Sequence, residues 1–302
     1  MESELRRIRM VVALTVVLSL GTVLVVPSSV LMGATGVVGD EDRPLTEADF
    51  AAIPGPVIGD AVRLAGELYG DYWEEDGDFV RQLLTMYLEA QDKDFIMVFN
   101  AGGWGSKSLE LSPDWRSIFG GIKSELDVAG YSTLFIDYLR TTDETVRGHL
   151  DEMMSVLSLY PSKARDLASR VQFLTDHLPG TRVIVTGEST GAIICDRAMD
   201  ILEGNPRVYS IQTGPPFWYR NKALERTLVL KDNGIVPDSF SQGDFFTIIS
   251  ANLESALGVV TPEGQSGKVL YYLGAPGHEY PWEYPGVYSR ILDFIYQNFE
   301  IN

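Results

Sequence analysis

The serine at position 189 has the sequence surroundings of a catalytic nucleophile. Residues 187–191 read Gly-Glu-Ser-Thr-Gly, which fits the pattern G-x-S-x-G. A buried strand is predicted directly before this segment, over 182–186, and an apolar helix directly after it, over roughly 190–203. A tight turn from strand to helix exposes the serine hydroxyl, and the helix N-terminus directs N–H groups toward a developing oxyanion. The segment therefore predicts that Ser189 attacks a carbonyl carbon.

The elements that must position this serine alternate between strands and helices. Apolar runs predict buried strands, and apolar residues at helical spacing predict amphipathic helices. The predicted strands cover 95–99, 133–136, 182–186, 208–211 and 269–272, and the predicted helices cover 78–90, 162–178, 190–203 and 287–299. Short strands separated by amphipathic helices indicate an α/β fold, with a mostly parallel sheet that is covered by helices on both faces.

The composition excludes several other classes of site. The chain has 302 residues and a single cysteine, Cys195, so it has no internal disulfide and no cysteine-based zinc site. Cys195 is predicted to lie in the core, and three histidines argue against a multi-histidine metal centre. The net charge of −18 argues against a nucleic-acid partner, because phosphate binding needs clustered Lys and Arg. The glycines at 102–105 lack dinucleotide spacing, and we expect neither a metal nor a cofactor.

The N-terminal segment is predicted to be a membrane anchor. Residues 10–26 form a run of seventeen residues without a charge, and the uncharged character continues to Gly39. About 20 apolar residues cross a bilayer core, so this segment is long enough. Arginines precede it at positions 6, 7 and 9, and acidic residues follow at 40–42. The positive-inside rule then leaves residues 1–9 in the cytoplasm and exports the rest of the chain.

The N-terminal segment has a second interpretation, and it also sets the expected division of the chain. The alternative to an anchor is a cleaved signal peptide, with the small residues at 34–36 as a cleavage site. We expect residues 1–39 to be the membrane segment, residues 40–60 a polar linker, and residues 61–302 the catalytic domain. The domain is then expected outside the cytoplasm, attached to the cell membrane by a single pass.

From about residue 95 to 300 the chain resembles the α/β-hydrolase superfamily of esterases and lipases. The resemblance rests first on the G-x-S-x-G turn at Ser189. It also rests on the glycine turn at 100–105, similar to an oxyanion loop, although Asn100 and Ala101 replace its usual His-Gly start. The strand end at 137–140 and the run 273–278, which ends at His278, resemble two further segments of the family. The family order is serine, acid, histidine.

The resemblance implies a role for each residue of a catalytic site. His278 would be the general base of Ser189, rather than His177 at a helix end or His149 in a charged stretch. The N–H groups of Thr190 and of Gly102 or Gly103 would form the oxyanion hole. The acid is predicted in the turn at 228–238, where the family position is occupied by Asn233 and the nearest carboxylate is Asp232. Asp232 is therefore the predicted acid, with Asp238 and Asp244 as the alternatives.

The resemblance implies a serine hydrolase acting on carboxylic esters or thioesters, and the predicted N-terminal anchor would tether it to the membrane. Its partners would be a small ester or acyl substrate and the membrane. The alternatives are a non-catalytic binding module of the same fold at the cell surface, and an acyltransferase that uses the same serine. Aromatic loops at 215–219 and 278–284 are expected near the sheet edge that binds ligands, either as pocket walls or as packing residues.

Overall fold

The structure is a computed structural model that describes residues 45–70, 73–103, 107–139, 158–256, 266–270 and 273–299. The helices are α1 (Glu47–Ala51), α2 (Gly55–Tyr69), α3 (Trp73–Ala90), α4 (Pro113–Val128), α5 (Pro161–His177), α6 (Thr190–Ile201), α7 (Ser239–Gln242), α8 (Phe245–Ala256) and α9 (Pro285–Phe299), with a 3-10 turn at Leu109–Leu111. The strands are β1 (Phe95–Asn100), β2 (Thr133–Asp137), β3 (Arg182–Glu188), β4 (Val208–Thr213), β5 (Thr227–Leu230), β6 (Ser266–Leu270) and β7 (Leu273–Pro276).

Five of the strands form one parallel sheet. Their order is β2-β1-β3-β4-β5, and every neighbouring pair runs in the same direction. In the central register Val98 lies beside Ile136 on one side and Val185 on the other. Because parallel strands share their carboxyl ends at one edge, the loops after β1, β3, β4 and β5 all emerge there. The predicted α/β class with a mostly parallel sheet is confirmed.

Helices cover both faces of this sheet. Side chains of β1 alternate between two hydrophobic clusters, with Ile96 and Val98 in one and Phe95, Met97 and Phe99 in the other. The first cluster includes residues of α2, α3, α5 and α6, and the second includes residues of α4 and α9. Every residue of β1 is buried, as expected for a strand between two helical layers.

The strand that precedes His278 is not part of the main sheet. β6 and β7 pair antiparallel with each other in a separate two-stranded sheet. The predicted strand at 269–272 overlaps the end of β6, while residues 271–272 lie outside the described residues. β7 is supported instead by α8, where the side-chain amide of Asn252 accepts from Gly274 N–H at 3.0 Å and donates to its carbonyl at 2.7 Å. Among the described helices, α1, α2, α4, α7 and α8 were not predicted from the sequence.

The expected linker at 40–60 requires correction. From residue 45 onward it contains α1 and the start of α2, and both Ile53 and Val57 are buried in the first cluster. Its prolines do not prevent this, since Pro56 lies in the first turn of α2, where a missing N–H costs nothing. The packed domain therefore begins before residue 61.

The predicted membrane anchor at 1–39 lies outside the described residues. Within the part of the chain that the structure describes, no helix is both long enough and apolar enough to span a bilayer.

Candidate active site

Ser189 lies at the sharp turn between β3 and α6, as the G-x-S-x-G pattern predicts. Its backbone has φ +52° and ψ −118°, a conformation that costs a non-glycine residue about 1–3 kcal/mol. The turn is held by the Ser189 N–H, which donates to the carbonyl of Thr213 at 2.9 Å. The residue is only 3% exposed, and its Oγ has no hydrogen-bond partner among the described residues. The hydroxyl is thus positioned by the backbone alone.

The two glycines of the motif allow this turn by close contact. A β-carbon added at Gly187 would lie 2.7 Å from the backbone nitrogen of Ala192. One added at Gly191 would lie 2.3 Å from the carbonyl oxygen of Asn100, at the end of β1. Neither distance is tolerable for non-bonded atoms, so both positions require glycine.

His278 is paired with Asp238. Its Nδ1 lies 2.8 Å from Oδ2 of Asp238, and both side chains are almost completely buried. Because an ionised carboxylate only accepts hydrogen bonds, Nδ1 carries the proton and Nε2 is left as the acceptor. Burial lowers the pKa of His278, but the hydrogen bond and charge of Asp238 outweigh it and hold that pKa above its ordinary value.

Ser189 and His278 each lie beside the end of β4. Thr213, which binds the Ser189 N–H, is followed by Gly214, where an added β-carbon would lie 2.5 Å from Cε1 of His278. Nε2 of His278, like Oγ of Ser189, has no hydrogen-bond partner among the residues that the structure describes. Catalytic hydrogen bonds often shorten only when substrate binds, so two buried groups without partners at one strand end are suited to a nucleophile and its base.

The predicted acid, Asp232, is not the partner of His278, and this prediction is corrected. Asp232 contacts Arg290 of α9 at 3.1 Å and accepts from Gly234 N–H at 3.0 Å, and its side chain is 47% exposed. Asp244, an alternative, accepts from the backbone and hydroxyl of Thr247 in the first turn of α8. Asp238, the other alternative, is fully buried and holds the imidazole.

Asn233, which occupies the family position of the acid, has a different task. Its Oδ1 accepts from the N–H groups of Ile235 and Val236, both at 2.9 Å, and so shapes the turn. Its Nδ2 donates to the carbonyl of Glu279 at 3.1 Å. Asn233 therefore fastens the turn that carries Asp238 to the loop that carries His278.

The loop after β1 packs against the serine, as the predicted oxyanion hole requires. A β-carbon at Gly102 would lie 3.0 Å from Cβ of Ser189, and the hydroxyl of Thr190 donates to the carbonyl of Gly103 at 3.0 Å. Burial raises the pKa of Glu188 above its ordinary value, and a hydrogen bond from the backbone of Gly102 to its carboxylate opposes part of that rise. Residues 104–106 of this loop lie outside the described residues.

Three further side chains at this site were not identified from the sequence. Glu188 is the variable residue before the serine in the motif, and burial holds its pKa above the ordinary value. Tyr280 donates its hydroxyl to Asp238, and Phe240 lies against the imidazole with its ring centroid 5.1 Å away. Glu188 had a signal in its place beside Ser189, and Tyr280 had one in the aromatic loop at 278–284, whereas Phe240 had none.

The remaining candidates lie apart from the site. His177 pairs with Asp60 at 3.0 Å and packs against Phe173. Cys195 is buried in the core, as predicted, and His149 lies outside the described residues. The aromatic loop at 215–219 reaches the site through Trp218, which packs on Phe240. No group of three His, Cys, Asp or Glu side chains in the described ranges is arranged to hold a metal ion.

Comparison with known proteins gives a distant likeness among solved structures. No protein-family model matches the chain, and no curated protein sequence matches it. Among solved structures, it is similar to a Trichoderma reesei cutinase in complex with a C11Y4 phosphonate inhibitor, at 17% identity and a TM-score of 0.34. The alignment covers 60% of this chain and 77% of the cutinase chain.

Proposed function

We propose that this protein is a serine hydrolase of carboxylic esters or thioesters, with Ser189 as nucleophile, His278 as general base and Asp238 as the acid. The observation that carries the proposal is the buried 2.8 Å contact between His278 and Asp238, at the strand end that also holds the strained Ser189. A nucleophile, a base and a group that orients the base are the three parts of a catalytic triad.

The first half of the reaction forms an acyl-enzyme. Oγ of Ser189 attacks the carbonyl carbon while Nε2 of His278 accepts the hydroxyl proton. Asp238 stays ionised and stabilises the imidazolium that forms, since its own pKa lies below the ordinary value. The tetrahedral intermediate then collapses, the bond to the alcohol or thiol breaks, and the imidazolium gives its proton to that leaving group.

The charge of the intermediate is placed on backbone N–H groups. Thr190 opens α6, so its N–H is directed at the carbonyl oxygen together with the positive end of the helix. The second donor is assigned to the loop after β1, which packs against Ser189 at Gly102. Because the backbone of Gly102 already hydrogen-bonds Glu188, Gly103 is the preferred donor. Each donor of this kind contributes ~3 kcal/mol to the barrier reduction.

The second half restores the serine. His278 removes a proton from water as the oxygen attacks the acyl carbon, and the carboxylic acid leaves as the proton returns to Oγ of Ser189. No cofactor takes part in these steps. Phe240 packs against the imidazole and Trp218 packs on Phe240, so we expect the substrate to carry an apolar group on this side of the site.

A fluorophosphonate probe tests this function. The wild-type chain should be labelled covalently, and Ser189→Ala should not be labelled and should lose hydrolysis of a short activated ester. Ser210→Ala, at a buried serine of β4, is the matched control and should be labelled like the wild type. Labelling of Ser189→Ala, or a wild type that neither reacts nor hydrolyses, contradicts the proposal.

The apolar segment at 10–26 supports a further part of the proposal, that the enzyme is tethered to a membrane and acts outside the cytoplasm. The full-length chain should then sediment with membranes and resist extraction by alkaline carbonate. A mature chain that starts near residue 37 and is released would instead identify a cleaved signal peptide.

A further inference from the structure

Tyr280 shares a carboxylate oxygen with the catalytic histidine. Its hydroxyl donates to Oδ2 of Asp238 at 2.6 Å, and Nδ1 of His278 lies 2.8 Å from the same atom. Ser241 Oγ donates to this oxygen at 2.8 Å as well, while Oδ1 accepts from the N–H groups of Phe240 and Ser241. Asp238 thus has all of its acceptor positions used, and Tyr280 makes the shortest of these contacts.

The hydroxyl of Tyr280 is not needed to hold its loop in place. The N–H of Tyr280 donates to Oδ2 of Asp114 in the first turn of α4 at 2.8 Å. Two residues later, the N–H of Trp282 donates to Oγ of Ser117 at 2.9 Å, and its ring packs directly on Gly121. The loop is therefore attached to α4 by its backbone and by an indole ring. The hydrogen bond of the Tyr280 hydroxyl to Asp238 therefore has another role than holding the loop.

We infer that Tyr280 is a positioning residue of the proposed reaction, which acts through Asp238 by fixing Oδ2 against His278 and withdrawing part of its negative charge. The inference rests on the proposed function of Ser189 and His278. A carboxylate that already accepts a strong bond from a phenol is a weaker base, so it orients the imidazole without taking its proton. Tyr280 itself does not touch the reacting atoms.

The charges around His278 determine whether loss of the Tyr280 hydroxyl raises or lowers the pKa of the imidazole. Burial raises the pKa of Asp238, but the bonds from His278 and Tyr280 hold it below its ordinary value. Without the phenol, Oδ2 becomes more basic and stabilises the imidazolium more strongly, so the pKa of His278 rises. The other charged groups that face His278 are Glu188 at the end of β3, Asp114 of α4 and Glu279 of its own loop, with Lys107 beside Glu188. Tyr280→Phe leaves all of them in place.

An NMR titration of the histidine ring protons in the full-length chain tests the inference. The chain has three histidines, and His149→Gln and His177→Gln assign the resonance of His278. We expect Tyr280→Phe to raise the pKa of His278 by about half a unit. Tyr69→Phe is the matched control, because it removes a similar phenol bond to a carboxylate, Asp166, away from the site. It should leave the titration unchanged.

The kinetic readout separates positioning from a structural role. For Tyr280→Phe, the acidic limb of kcat/KM should move to higher pH by the same half unit, and kcat should fall by about fivefold with KM unchanged. Should Tyr280→Phe not fold, Ser241→Ala removes another donor from the same oxygen and should shift the limb in the same direction.

The outcomes distinguish a failure of this inference from a failure of the proposed hydrolase function. An unshifted pKa of His278 in folded Tyr280→Phe, or an equal shift in Tyr69→Phe, overturns the inference while hydrolysis by the wild type still supports the function. A wild type without hydrolysis or probe labelling overturns the function, even where the titration shows the coupling of Tyr280 to His278.

Discussion

The α-carbon of Gly191 faces the carbonyl oxygen of Asn100 so closely that an added β-carbon would lie 2.3 Å away. Asn100 ends β1, and Gly191 lies in the first turn of α6, so this contact joins the turn that carries Ser189 to the loop that carries the oxyanion donors. The carbonyl is backbone and cannot rotate away as a side chain would. The relative position of Ser189 and the oxyanion loop therefore requires glycine, which has no side chain, at position 191.

Gly191→Ala is expected to lower the free energy of unfolding by about 1–3 kcal/mol, because the methyl group forces the strand end and the helix apart. Chemical denaturation measures this change. Labelling of Ser189 by a fluorophosphonate should slow in the same variant. Gly120→Ala is the control, since that glycine lies on the exposed side of α4 with nothing within 4 Å, and alanine should raise helix stability there. Equal stability of the two variants would show that the contact at Asn100 relaxes freely.

Asp238→Asn is expected to lower kcat/KM for an activated ester by roughly 10⁴-fold, since an amide at this position favours the wrong imidazole tautomer and cannot stabilise the imidazolium. Asp232→Asn should stay within about twofold of the wild type, because an exposed contact to Arg290 contributes little. Steady-state kinetics on the folded variants decides whether Asp238 or Asp232 is the acid. The opposite ranking would return the acid to Asp232.

Much of this site follows from the sequence, but the identity of the acid does not. The turn at Ser189 is encoded locally, since its glycines and flanking elements are contiguous in the chain. The acid lies in a segment whose path reverses between Asp232 and Pro237, which form an antiparallel bridge. Asn233 holds this turn by accepting from the N–H groups of Ile235 and Val236, and it attaches the turn to the loop of His278 by donating to the carbonyl of Glu279. That reversal directs Asp232 to α9 and brings Asp238 to the imidazole. A linear overlay on a family motif contains no information on it.

The pH dependence of hydrolysis follows from the raised pKa of His278. The imidazole must be neutral to accept the serine proton, so the acidic limb of kcat/KM should lie above pH 6.5, the ordinary value. The raised pKa also means that His278 contributes to the free energy of unfolding. This contribution is complete below pH 6.5 and is lost as the pH rises through the pKa of His278 in the folded protein.

These two pH effects have separate measurements. A pH–rate profile gives the limb, and denaturation of the wild type against His278→Gln gives the stability contribution at pH 6 and at pH 9. The difference in unfolding free energy between wild type and variant should be larger at the lower pH. A limb below the ordinary imidazole value, or a difference that grows with pH, would mean that burial outweighs Asp238 at this ring.

The segment at 45–60 gives the last prediction, because a linker and a core element respond differently to truncation of a side chain. Ile53 is 5% exposed in the first hydrophobic cluster, whereas Ile58, on α2, is 36% exposed. Ile53→Ala in the full-length chain is expected to cost about 2–5 kcal/mol of unfolding free energy, since it leaves a cavity in the first hydrophobic cluster. Ile58→Ala should cost well under half of that, because water already reaches its side chain. Denaturation midpoints of both variants measure the contrast, and two equally stable variants would restore the boundary of the domain to residue 61.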